Sequence, residues 1–234
     1  MPEKALPAIH DTVRLWQDDE RATLRACVRY REKKRVGWSL SWLRESASYV
    51  FDGKIPESAL KQAVKANVPP GSRDSVWKAV QLLLDFIRKY GWQGIAIHPR
   101  DVPVGHGFTV KLRPVGKFFS PTRDRKCLVA LQPRLDEQPN HEQFRIWHSA
   151  LHYEFCCDPL EPLEALIVDL SRDEITGKRR LRELDLSKLA LLDKTELDRR
   201  LDLVATCYLK AIELVPVLPV RQPKPKSTGQ TELF

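Results

Sequence analysis

Three residues that fall on one predicted helix, His148, His152 and Cys156, stand at i, i+4 and i+8, so two imidazoles and a thiol share a face. That mixture is the chemistry of a Zn²⁺ site, which takes nitrogen and sulfur ligands. Over eight residues a straight helix rises about 12 Å, which outgrows one tetrahedral ion. The trio therefore reads more readily as a buried, hydrogen-bonded face packed with Leu151 and Phe155. Carboxylates gather further on, at Asp158, Glu161, Glu164 and Asp169. Paired acids could hold a metal or move protons, but Pro159 and Pro162 place the first three in a loop, where acids are ordinary. No complete catalytic set is visible, and no cofactor is implied.

Charge points more clearly. The chain of 234 residues carries a net +8 with a pI near 9.3, which favours polyanionic partners. Residues 1–92 hold 17 Lys and Arg against 11 Asp and Glu, so six of the eight excess charges are N-terminal. Arg29, Arg31, Lys33, Lys34 and Arg35 run into Trp38 and Trp42, joining positive charge to flat rings, as suits phosphate contact with stacking. A solvated helix face and core tryptophans are the alternative reading. The five cysteines are an odd set without a disulfide framework. No apolar run reaches the roughly 18 residues a membrane span needs, and a cytoplasmic location is expected.

These residues must be positioned by elements that the periodicity outlines. Helical spacing covers 8–35 as two helices or one bent one, with Asp18, Asp19 and Glu20 opening the second stretch. Short helices are expected at 40–46 and 57–66. A longer one follows Pro69 and Pro70, with Ser72 as its N-cap and Gly91 at its end. From Gly94 the period becomes two, giving short strands at 94–98, 107–113, 115–119 and 127–132, read as an antiparallel meander. A helix over 141–157, a strand over 163–172, a returning strand KRRLREL and a helix over 194–215 behind Asp193 complete the order. The expectation is an α+β fold: a helical module over 1–70, a mixed α/β domain over 71–215, and a Pro- and Lys-rich tail over 216–234.

Three resemblances follow. The stretch WSLSWLRESASYVFDGKIPESALKQAV resembles the helix-turn-helix of compact phage and transposon DNA-binding proteins. That likeness implies a recognition helix capped by Ser46 or Ser48, with Arg44, Lys54 and Lys61 on phosphate. The element order from residue 73 resembles the restriction-endonuclease-like PD-(D/E)XK core. Its members hold Mg²⁺ with an Asp on the second core strand and a Glu-x-Lys on the third. Here Val115-Gly116 and Ala130-Leu131-Gln132 stand at those positions, so the resemblance implies an inactive site; Gln143 and Trp147 match a Gln and an aromatic that some members carry on the next helix. Finally, Gln230, Leu233 and Phe234 in QTELF resemble the peptide by which bacterial replication and repair proteins dock on the sliding clamp.

Joined, these readings describe a DNA-binding accessory protein of a bacterial or mobile-element DNA-processing or defence system with a catalytically inactive nuclease-like domain. Double-stranded DNA is the expected partner and the clamp a second. The alternatives are a protein-binding adaptor subunit, or an active metal-dependent nuclease whose carboxylates lie outside this alignment.

Overall fold

The computed structural model describes residues 4–32, 47, 50, 55–132, 139–158, 163–171, 176 and 179–215. Among them the fold is α+β, with six α-helices around two sheets. The helices are α1 (Ile9–Leu15), α2 (Glu20–Glu32), α3 (Glu57–Asn67), α4 (Arg73–Tyr90), α5 (His141–Leu151) and α6 (Lys194–Leu214). The strands are β1 (Lys4–Ala5), β2 (Gln93–Ala96), β3 (Arg100–Val104), β4 (Phe108–Leu112), β5 (Pro114–Ser120), β6 (Arg125–Gln132), β7 (Glu164–Asp169) and β8 (Arg182–Asp185).

The larger sheet runs β2-β5-β6-β7-β8, antiparallel except for β6 and β7, which α5 joins in parallel. The central pair is buried on both sides, which explains its nearly unbroken apolar sequence. Cys127, Val129, Leu131, Leu166 and Val168 pack into one cluster with α3 and α4; Leu128, Ala130, Ala165 and Ile167 pack into another with α1, α5 and α6. This period-two division is what a pleated strand between two helical layers requires. Instead of one meander, the β-run from residue 93 splits between sheets, because β3 and β4 leave to pair with β1 in the order β1-β4-β3. β1 is parallel to β4, pairing Lys4 with Phe108.

Packing crosses residue 70, where composition suggested a boundary. Ile9, Val13, Leu15, Trp16 and Cys27 are buried in the same cluster as Leu112, Ile146, Trp147 and Leu201. Residues 4–32 are thus part of the α/β body. On the opposite layer, α4 turns Val76, Ala79, Val80, Leu83, Phe86 and Ile87 inward, and each large side chain so buried adds about 1.5–3 kcal/mol of apolar stabilisation.

Helix ends use local chemistry. Gly91 closes α4 in the left-handed conformation at φ 59°. Ser72 stands at the N-cap position of α4 without a side-chain cap bond, because a turn of 3-10 helix over Pro70–Ser72 leads into the helix instead. A reciprocal capping box of Asn140 and Gln143 starts α5, and the Asp193 carboxylate caps α6 by accepting from Glu196 N at 2.8 Å.

Candidate functional site

Helix α2 presents a row of exposed cations. Its inner face, Thr23 and Cys27 with Leu24, Val28 and Tyr30 beside them, packs into the cluster that holds α6. Arg21, Arg25 and Arg29 recur every four residues on the other face and are exposed; at 1.5 Å per residue they stand about 6 Å apart along the axis. Among the described residues none of the three has an acidic partner. Four exposed acids flank the row, Asp18, Asp19, Glu20 and Glu32; Asp19 accepts from Ala22 N at 2.7 Å, and Glu20 takes the Lys210 ammonium at 2.6 Å.

Arg31 has other work. Its guanidinium donates to the Val215 carbonyl at 3.3 and 3.0 Å and lies 5.7 Å from the centre of the Tyr208 ring, tying the end of α2 to the end of α6. Burial also pushes the Cys27 thiol up to about 12, with Cys207 adding to it, so this helix contact is kept neutral. Lys61 is exposed on α3 with its ammonium 5.8 Å from the Trp77 ring centre. Lys33, Lys34, Arg35, Trp38, Arg44 and Lys54 lie outside the described residues, as do Gln230, Leu233 and Phe234.

A second feature stands at the strand positions matched to the nuclease core. β5 bulges between Pro114 and Gly116 as it pairs with β6. A pocket of about 260 Å³ opens there, with Val115 and Leu131 meeting His10 of α1, Trp147 of α5 and Arg113. No carboxylate lines it among the described residues. Gly116 has a steric reason to lack a side chain, since a Cβ there would meet the Ile95 carbonyl oxygen at 2.2 Å. Gln132 is fully buried opposite Asp169, and its carbonyl accepts from Leu170 N at 2.9 Å.

Gln143 and Trp147 hold α1 against α5. The Gln143 amide donates to the Trp16 carbonyl at 3.0 Å and to the Arg14 carbonyl at 3.4 Å, while its oxygen accepts from Asn140 N. Trp147 lies parallel to Phe144, with ring centres 6.4 Å apart, and is tilted against His10 at 6.2 Å. The His10 Nε2 is 3.4 Å from the Asp11 carboxylate. Trp147 is 2% exposed, and its indole N–H has no acceptor among the described residues.

The remaining candidates have structural surroundings. Burial, with His152 beside it, lowers His148 to about 4, and the two rings meet edge-on at 6.3 Å. The chain then widens into a π-turn over His152–Cys156, which breaks the regular i, i+4 register. Burial holds the Cys156 thiol up at about 12, in its protonated form. Among the described residues, no group of three or more His, Cys, Asp or Glu could hold a metal ion. Asp169, 1% exposed, accepts from Ser171 N and Oγ at 2.9 and 3.0 Å and faces Arg182 at 3.2 Å, clamping the end of β7 to β8. Glu164 accepts from Arg125 at 2.7 Å; Asp158 is exposed, and Glu161 lies outside the described residues.

No family model matches the chain, and no curated protein is significantly similar to it. A similar solved structure, "Crystal structure of SSO0001", shares 14% identity over 92% of this chain and 78% of that chain, with a TM-score of 0.39. No helix among the described residues is long and apolar enough to cross a membrane.

Sequence reasoning passed over Arg21 and Arg25, although their four-residue steps to Arg29 are readable in the sequence; the denser run at 31–35 drew attention away. His10 and Arg113 left no comparable signal. They are about a hundred positions apart and meet only because α1 docks on α5 beside the start of β5.

Proposed function

We propose that this chain is a DNA-binding accessory protein of a bacterial or mobile-element DNA-processing or defence system, with a nuclease-like α/β body that acts as scaffold. The exposed row of Arg21, Arg25 and Arg29 on α2 carries this reading. Three cations in steps of about 6 Å, held in no ion pair among the described residues, can each sit on a phosphate and release its condensed counterion. The row leads toward the basic run at 31–35, and the exposed Lys61 and Lys65 belong to the helix that closes the helix-turn-helix-like stretch. The non-catalytic half of the proposal is supported by the pocket at Val115 and Leu131, whose described lining offers no carboxylate for the hard cation such chemistry uses.

The direct test is fluorescence anisotropy of the full chain with a duplex of arbitrary sequence, in chelator, across a salt series. Binding that tightens as salt falls is the expected result. Duplex affinity absent at low salt, or indifferent to salt, overturns the reading.

A further inference from the structure

We propose that the outer edge of β2 pairs with the same edge of a second copy of this chain, so that two five-stranded sheets become one. Among the described residues β2 is hydrogen-bonded on one side only, to β5. The other sheet edges are guarded against such pairing. β3 carries Arg100, Asp101 and Pro103, and β1 is two residues long. β8 carries Arg182, Glu183 and Asp185, which form ion pairs with Asp169, Arg123 and Arg125. Charge, proline and brevity are devices by which natural sheets keep an edge from joining another chain. β2, Gln93-Gly94-Ile95-Ala96, has no charge and no proline, and all four residues are exposed.

The edge is also preformed. A Cβ at Gly94 would meet the Phe118 ring at 2.6 Å, and one at Gly116 would meet it at 2.8 Å, so this ring lies against both glycines and holds β2 on β5. Backbone N–H and C=O groups kept in register on such a strand are what strand addition uses. The side chains favour a second copy as the occupant. Gln93 is opposite Phe119 and Ile95 opposite Lys117, so Ile95 and Phe119 stand diagonally on one face. Ile95 is 67% exposed, more than any other large apolar side chain among the described residues, and Phe119 is 38% exposed. Lys117, the cation on this face, is half-buried one strand behind. A two-fold axis through the sheet leaves each face on its own side. Antiparallel pairing of β2 with its copy therefore gathers both Ile95 and both Phe119 into one apolar cluster, and neither β2 strand has a charge to oppose it. Symmetry supplies this match, which a foreign strand would have to bring.

The test is sedimentation velocity of the full chain from low to high micromolar concentration, without nucleic acid, since the pairing does not depend on the DNA reading. The expected result is a rise in mass from one chain to two. Association strengthens with salt, because each copy carries a net +8 and salt screens their repulsion. Ile95→Lys sets two like charges beside the two-fold axis and weakens association by roughly tenfold or more. The position is exposed, so the variant keeps the fold, which circular dichroism checks; Leu191→Lys, at another exposed apolar site, leaves the dimer unchanged. Hydrogen exchange locates the contact: the outward amides of β2 slow as the parent concentration rises, and do not in Ile95→Lys. A parent that remains a single chain at high micromolar concentration overturns the proposal. So does a dimer that Ile95→Lys leaves intact, or one in which β2 exchanges as fast as in the monomer.

Discussion

Replacing Arg21, Arg25 and Arg29 together by Gln removes the row on α2 while leaving its packing intact. Gln has nearly the helix propensity of Arg, and all three positions are exposed and unpaired among the described residues, so folding stability should change by no more than about 0.5 kcal/mol per site. The effect on binding follows from counterion release. Each phosphate neutralised contributes about −0.9 to the slope of log K against log salt, so three contacts contribute about −2.7. Between 50 and 200 mM salt, a change of about 0.6 log units, that slope corresponds to a roughly 40-fold loss of affinity. The parent should therefore lose about 40 times more affinity over this range than the triple variant does. Anisotropy titrations at four or five salt concentrations measure both slopes, with Lys126→Gln, an exposed site on β6, as the control. A triple variant that remains folded and keeps the parent slope would refute the assignment of phosphate contacts to α2.

Two further outcomes test the body of the fold. Because His148 is lowered to about 4 from an ordinary 6.5, its neutral form stabilises the native state above pH 6.5, and that contribution is lost as pH falls toward 4; urea midpoints should decline over that window, and less so in His148→Gln. Gln143→Ala removes the donor to the Trp16 carbonyl and leaves a buried acceptor unmet, which should cost about 1–3 kcal/mol in urea unfolding; a loss below 0.5 kcal/mol, the ordinary surface-mutation range, would show that α1 does not depend on it.

Much of the architecture could be read in advance, for reasons that differ by element. α4 declares itself through a regular apolar stripe and a terminal Gly91, and α6 through the Asp193 cap, since both signals are local. β6 and β7 stand out as apolar runs because helices cover both their faces. β3 escapes notice because RDVPV contains a proline and two charges; it is tolerated because β3 is the edge of its sheet, with Pro103 opposite Thr109. β1 has two residues, too few for any pattern, and depends wholly on β4. The pocket is less legible still, since the meeting of His10, Arg113 and Trp147 is a property of docking and leaves no periodic trace.

The pairing of Lys4 with Phe108 sets an order of assembly. β1 and α1 leave the ribosome before their partners in β4, α5 and α6, which emerge about a hundred to two hundred residues later. At ordinary elongation rates of about 5–20 residues per second, the greasy side of the leading helices waits many seconds for its seat. During synthesis this segment gains its seat only after those later elements have been made.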